Sequence, residues 1–269
     1  MKKRILIIVG SVLAVLLLLA GLFFGYLALE QHKRAVAPGN SDDYAYASLA
    51  KHPANALTGK TILFLGSSVT DGAAAKSQSF VEWLVQVDGV NPIKEAKSGT
   101  TLVDNPSALA KLAFGNGDSY IKRLLALDTT VPVDAVVCQL STNDATMKLP
   151  LGKISDGTEL SSFDTQTVTG AMEYIIRYCR DTWHCPVVFY TGSYYESDAY
   201  SAMVTRLHEL QEKWGIGVID LYTDEAFNAI DAETYELYMF DKIHPTMAGY
   251  SLWWGPEMEK QLIDLMKED

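Results

Sequence analysis

Hydrophobic positions follow two regimes along the chain. From Ile5 to Leu29 the sequence is uncharged and almost wholly apolar, with Lys2, Lys3 and Arg4 before it and Lys33 and Arg34 after it. Roughly 20 apolar residues cross a bilayer as a helix, so this run is long enough to span with some tilt. A cleavable signal peptide shares the basic start and apolar centre, but its centre usually holds about 7–15 residues. The length therefore predicts a retained anchor over residues 1–29, and the small residues Ala35 and Ala37 leave cleavage as the alternative. Three basic residues before the run against two after it favour an N-terminus inside and the remainder outside. The expected location is the cell membrane, single-pass, with the folded part extracytoplasmic, or the exterior after cleavage.

Residues 30–44 are polar and carry Pro38, Gly39, Asn40, Ser41, Asp42 and Asp43, a composition that predicts a flexible stalk. The folded domain is expected over residues 45–269. There, strand-like apolar runs alternate with helix-like segments: Thr61–Leu65 then Phe80–Val87, and Ile93–Ala96 then Ala108–Leu127 with a break at Gly115–Gly117. Ala135–Leu140 then Val168–Thr182 and Pro186–Thr191 then Ala199–Trp214 continue the alternation, which ends in Gly217–Tyr222 then Met247–Lys267. Short runs rich in Val, Ile, Leu and Phe fit strands buried on both faces, and helical crossovers make a mainly parallel sheet covered on both sides. Ligands bind such sheets at the carboxyl ends of the strands. Helical spacing of Met203, Leu207, Leu210 and Trp214, and approximately of Leu252, Met258, Leu262 and Leu265, marks two core-facing stripes.

Charge narrows the range of partners. Residues 1–34 hold five of the 22 Lys and Arg and one of the 33 Asp and Glu, so the remainder carries 17 basic against 32 acidic residues, near −15. An acidic body of this kind repels nucleic acid and anionic lipid but leaves a neutral substrate unconstrained. Three cysteines form no disulfide framework, and the absence of Cys-x-x-Cys argues against structural zinc. Cys138 reads as a buried thiol, while Cys179 and Cys185 flank a helix-to-strand connection where an oxidising compartment permits a bond.

Two segments carry chemistry. Ile62–Leu65 runs into Gly66-Ser67-Ser68-Val69-Thr70-Asp71-Gly72, which puts a small hydroxyl residue at the carboxyl edge of a buried strand. An acyl-transfer nucleophile needs that position, with backbone N–H groups of the turn facing the reacting carbonyl, although small residues also build ordinary caps and turns. Near the C-terminus lies Asp241-Lys242-Ile243-His244-Pro245. A serine hydroxyl is a weak nucleophile until an imidazole accepts its proton, and a carboxylate must fix the imidazole tautomer. An Asp three residues before a His supplies both from one turn, and Pro245 keeps His244 out of helical geometry. Taken alone, a His before Pro is an ordinary loop residue.

Together these segments resemble the SGNH, or GDSL-like, serine hydrolases. Gly66-Ser67-Ser68-Val69-Thr70 is similar to their first block, Ser98-Gly99-Thr100 to the second, Ser141-Thr142-Asn143-Asp144 to the third and Asp241-x-x-His244-Pro245 to the fifth, in family order over residues 60–269. The resemblance implies a three-layer α/β/α sandwich, flavodoxin-like, on a five-stranded sheet. It also implies Ser68 as nucleophile, His244 as base, Asp241 as its orienting acid, and an oxyanion hole from the N–H groups of Ser68 and Gly99 and the Asn143 amide. Neither a metal nor an organic cofactor is required by that chemistry. Two positions depart from the family pattern: Ser67 replaces its usual Asp and Ser141 its usual Gly.

The implied activity is hydrolysis of short acyl esters, above all O-acetyl groups on surface carbohydrate. An acyltransferase using the same three residues and a silent binding domain remain alternatives. Asp71 and Asp144 read as turn or helix-terminus acids and His184 as a surface residue, while His52 and His208 have no partner visible in the sequence. The long connection Ala145–Thr167 leaves the strand that delivers Asn143 and is expected to wall the acceptor site.

Overall fold

The computed structural model describes residues 2–104 and 118–267. Strands β1 (Thr61–Gly66), β2 (Asn91–Ala96), β3 (Ala135–Gln139), β4 (Val187–Tyr190) and β5 (Gly217–Ile219) form one sheet in the order β2-β1-β3-β4-β5. All four pairings are parallel, with Leu63 opposite both Ile93 and Val136. The chain leaves β1 toward β2 on one side and returns to β3 on the other. That reversal opens a crevice at the carboxyl ends of β1 and β3, where open α/β sheets bind ligands.

Helices cover both faces, and the alternation within β1 shows why. Leu63 and Leu65 join one buried cluster with residues of α4 (Tyr120–Leu125), α6 (Val168–Trp183) and α7 (Asp198–Trp214). Ile62 and Phe64 face the other way, into a cluster with α3 (Phe80–Asp88) and α10 (Gly255–Lys267). Helices α3, α6 and α7 begin where the sequence supplies a cap: Ser79 and Glu82 form a capping box on α3, and Thr167 and Ser197 cap α6 and α7 through their hydroxyls. The expected three-layer sandwich is therefore the observed one. The first part of the expected Ala108–Leu127 helix, with its break at Gly115–Gly117, lies outside the described residues.

At the C-terminus the expected single helix is interrupted. Met247–Gly249 passes through a π turn at Tyr250–Trp254 into α10. The wider turn shifts the helical phase, so Leu252 points outward at 53% exposure while Trp254, Met258 and Leu262 fill the core. The core stripe thus runs through Met247, Tyr250 and Trp254, and Leu252 is not part of it.

The N-terminus differs from expectation in a second respect. Helix α1 (Lys2–Ala35) contains a stretch, Val12–Ala35, long and apolar enough to cross a membrane, whose apolar 18-residue window has no buried residue. The segment after it is no free stalk. Pro38–Asn40, Asp42–Tyr44 and Tyr46–Ser48 form three single 3-10 turns, and Gly39, Asn40 and Tyr46 are buried. Asn40 is satisfied on both sides of its amide: Nδ2 donates to the Arg34 and Ala74 carbonyls at 2.6 Å each, and Oδ1 accepts from Met247 N at 2.8 Å. A polar composition suited to a linker here folds tightly because these side chains replace solvent as hydrogen-bond partners.

Candidate active site

The turn after β1 is built from small residues because nothing larger fits. A Cβ on Gly66 would meet Thr70 Oγ1 at 1.7 Å. Ser67 leads into the four-residue helix α2 (Ser68–Asp71), which Gly72 closes in the left-handed region at φ 76°. Gln139, the last residue of β3, holds this turn from below. Its Oε1 accepts from Ser67 N at 2.8 Å, Thr70 Oγ1 at 2.9 Å, Ser67 Oγ at 3.3 Å and Thr70 N at 3.4 Å. The Tyr190 hydroxyl lies 2.6 Å from Thr70 Oγ1, and the Tyr250 hydroxyl donates to Val69 O at 2.6 Å.

The loop carrying His244 is pinned at its base. Met239 and Pro245 form an antiparallel bridge, Phe240 N donates to His244 O at 2.9 Å, and Thr246 Oγ1 donates to Leu237 O at 2.7 Å. Asp241 Oδ1 accepts from the N–H groups of Ile243 and His244 at 2.8 and 2.9 Å. Both Asp241 oxygens lie against His244 Nδ1, at 2.9 and 2.8 Å, and His244 Nε2 lies 2.8 Å from Ser68 Oγ. The carboxylate therefore assigns the tautomer: Nδ1 carries hydrogen, and Nε2 is free to accept from the serine. Burial pushes the Asp241 carboxyl up, but the bonds from His244 and the two backbone N–H groups outweigh it and hold the acid below its ordinary value. Ser68 is 7% exposed, whereas the Asp241 side chain is 42% exposed, so water reaches the back of the pair.

Gly99 and Asn143 come to the same edge. Gly99 adopts φ 79°, which favours glycine, and Asn143 Nδ2 donates to Thr100 O at 2.8 Å. Asn143 lies in α5 (Thr142–Thr146), capped by Ser141, whose hydroxyl accepts from Asp144 N at 3.4 Å. Both family departures thus have a local use. Ser141 caps α5, and Ser67 donates to Gln139 Oε1, an acceptor that a carboxylate at position 67 would oppose.

Asp144, expected as a turn or helix-terminus acid, and Arg123 and Gln139, without an assigned role in the sequence, hold these loops together. Asp144 is fully buried, and its oxygens accept from Leu102 N at 2.9 Å and Val103 N at 3.1 Å, pinning the loop after Gly99 to α5. Burial pushes its carboxyl up to about 6 in spite of these bonds. Arg123 donates to Glu95 O, to Gly66 O at 2.7 Å and to Thr100 Oγ1 at 3.1 Å, tying β1, β2 and the Gly99 loop together. Gln139 is the third. A polar residue inside the apolar run Ala135–Leu140 was its one sequence signal.

The remaining candidates resolve locally. His208 pairs with Asp220 at 2.8 Å, and His52 with Glu259 at 2.7 Å. His184 closes α6 at φ 52°, a capping role. Cys138, Cys179 and Cys185 are separate buried thiols, so the bond considered between Cys179 and Cys185 does not form; Cys179 faces the core from inside α6.

Sequence comparison decides the family. A model of the GDSL-like lipase/acylhydrolase family matches residues 64–252. The chain belongs to that family. This GDSL-like acylhydrolase is an ester-hydrolysing enzyme, and its fold recurs in solved structures. A protein from Lactobacillus plantarum is 20% identical at a TM-score of 0.60, covering 81% of this chain and 99% of its own. One assigned to the GDSL-like lipases from Bacteroides ovatus ATCC 8483 is 15% identical at 0.56, covering 79% and 100%. A family two carbohydrate esterase from Clostridium thermocellum, solved with cellohexaose, is 17% identical at 0.51, covering 82% and 66%. No curated protein matches the sequence. At these identities the structures share the fold alone.

A cleft of about 650 Å³ borders the GDSL-like acylhydrolase's His244 loop, between Lys242 and Ile243 on one side and Ala145, Leu149, Tyr195 and Asp198 on the other. Only the first residues of the connection Ala145–Thr167 reach it. Farther along, Ser155 O and Gly157 O accept from Lys213, Ser155 N donates to Glu173, and Phe163 packs edge-on against Trp214. Lys213 and Trp214 end the helix that leads to the amino end of β5. The expected wall is thus limited to Ala145–Leu149, because buried Glu173 and its Lys213 partner draw the rest away. A larger cleft of about 810 Å³, lined by Lys60, Asp134, Trp183 and Cys185, lies at the amino ends of the strands, away from Ser68.

Proposed function

We propose that this acylhydrolase cleaves short acyl esters through a covalent acyl-enzyme on Ser68. The observation that carries the reading is the 2.8 Å contact between Ser68 Oγ and His244 Nε2, with Asp241 behind the imidazole. Ser68 Oγ attacks the ester carbonyl carbon while its proton passes to His244 Nε2, and Asp241 stabilises the resulting imidazolium. The oxyanion takes hydrogen bonds from the N–H groups of Ser68 and Gly99 and from the Asn143 amide. One Asn143 N–H is held on Thr100 O and the other serves the substrate. Collapse expels the alcohol, which takes the proton from His244. Water then adds to the acyl-enzyme by the same route in reverse and releases the carboxylate.

The cleft beside Lys242 supports a polar alcohol and a small acyl group. Its walls mix Lys148, Glu196 and Asp198 with the Tyr195 ring, over which Lys242 lies at 5.7 Å. A long acyl chain needs a deeper apolar channel. An O-acetylated carbohydrate fits this chemistry, and the related fold of a carbohydrate esterase is consistent with it. Water access past the half-exposed Asp241 favours hydrolysis over transfer to a second sugar. The helix ending at Ala35 acts as a membrane anchor with the domain on the outer side, so the esters lie near the bilayer surface.

Fluorophosphonate labelling of the detergent-solubilised chain tests the core of this reading. Wild type reacts, and Ser68→Ala neither reacts nor turns over p-nitrophenyl acetate above background. A variant that keeps wild-type turnover under pseudo-first-order conditions sinks the assignment.

A further inference from the structure

At the opposite edge of the sheet from Ser68, three side chains from separate parts of the chain converge. His52 comes from the segment before β1, Asp88 is the last residue of α3, and Glu259 lies on α10. One ligand-type atom from each lies within 4.8 Å of the other two. His52 Nδ1 is 2.7 Å from Glu259 Oε1 and 3.9 Å from Asp88 Oδ1. The residue is held twice over: its backbone N–H donates to Val87 O at 2.8 Å, and the imidazole sits edge-on to Trp83 at 5.6 Å.

Asp88 is the unusual member. Its side chain has no exposed surface, Oδ1 accepts from Asn55 Nδ2 at 2.6 Å, and Oδ2 is buried with no hydrogen-bond partner. A buried carboxylate oxygen left unpaired beside a second carboxylate is costly unless something positive joins them. Burial pushes the Asp88 carboxyl up to about 6, and the neighbouring Glu259 adds to the rise against the Asn55 bond.

We propose that His52, Asp88 and Glu259 form a divalent transition-metal site, Zn2+ by its ligand types, that clamps the N-terminal segment to α3 and α10. Two carboxylates and a neutral imidazole balance a divalent charge. Three mixed N and O ligands leave the fourth tetrahedral position to water through the exposed side of His52. Imidazole disfavours Ca2+ and Mg2+, which take oxygen ligands. Asn55 holds the Asp88 carboxylate as an outer partner, the arrangement that ligating acids use. Binding leaves the covalent structure unchanged. The clamp is remote from the reacting groups and adds stability without entering the ester chemistry.

The test uses the full chain in detergent, stripped with EDTA and dialysed into metal-free buffer. Equilibrium dialysis against ZnCl2, read by elemental analysis, is expected to give one Zn2+ per chain. Saturating Zn2+ raises Tm by about 5 °C or more, and Ca2+ at the same concentration does not. Asp88→Asn and Glu259→Gln lose the bound metal and the Tm response while keeping p-nitrophenyl acetate turnover. His52→Gln, at a half-exposed position, does the same if either acid variant fails to fold. A wild-type chain that retains no Zn2+ and shows no Tm change overturns the proposal, as does equal retention by the variants.

Discussion

Gln139 is the most instructive residue to perturb, because it touches no substrate yet sets where Ser68 stands. Gln139→Met keeps the side-chain volume and removes the acceptor. Ser67 N–H, bonded to Oε1 at 2.8 Å and fully buried, is then orphaned. Thr70 Oγ1 loses its 2.9 Å bond but keeps the Tyr190 hydroxyl. An orphaned buried donor costs about 1–3 kcal/mol and a lost but compensated bond about 1 kcal/mol, so the expected destabilisation is roughly 2–4 kcal/mol. The second consequence is kinetic. Ser67 directly precedes Ser68, and a displacement of about 1 Å in a positioned nucleophile costs on the order of 10²-fold. Urea unfolding gives the first quantity; kcat/KM on p-nitrophenyl acetate, normalised to sites titrated by fluorophosphonate, gives the second. Gln139→Glu retains an acceptor oxygen at the same reach and should recover most of the rate. A purely structural role predicts normal kcat/KM per titrated site. The positioning argument is refuted if Gln139→Met, whatever its loss of stability, stays within about twofold of wild-type kcat/KM per titrated site.

Two further outcomes follow from the same geometry. Asn143→Ala should lower kcat by about 10²–10³, the usual cost of removing one oxyanion donor, and unchanged steady-state kcat would remove Asn143 from that role. Asp144, with a native value of about 6 against an ordinary 3.8, holds its proton more tightly folded than unfolded. Its stability contribution is therefore present below the unfolded value and lost as pH rises through about 6, by about 3 kcal/mol over the whole window and about half of that between pH 5 and pH 8. Asp144→Asn should flatten that part of the slope in urea melts at the two pH values, and identical slopes would exclude the assignment.

The layered fold was legible because β1, β3 and β4, buried on both faces, leave unbroken apolar runs, and because α3 to α7 each start after a Ser or Thr cap. The proposed reacting groups stand out in the sequence for a different reason: their residue types are constrained by chemistry and their positions by strand ends. What escaped were the polar residues that position them. Arg123 acts through main-chain carbonyls of β1 and β2, and sequence spacing carries no trace of such contacts. Leu252 was placed in the core because a regular period was extended through a π turn that nothing in the residue types announces. Asn40 lay in a stretch whose Pro, Gly, Ser and Asp content describes a linker and a string of tight turns equally well.

Asn40 also determines what the proposed anchor does. A flexible stalk of fifteen residues would let the domain wander tens of ångströms from the bilayer. Instead, Asn40 joins the end of the apolar helix at Arg34, the turn after α2 at Ala74, and the start of the C-terminal helical segment at Met247. Arg34 adds a contact to Ala73 O at 3.5 Å and stacks over Phe240, the residue before Asp241, at 5.6 Å. The same few side chains that end the helix therefore brace both loops that bring Ser68 and His244 together. On this reading the anchor is part of the architecture of the reacting edge, and an ester must come to the membrane surface to be cleaved.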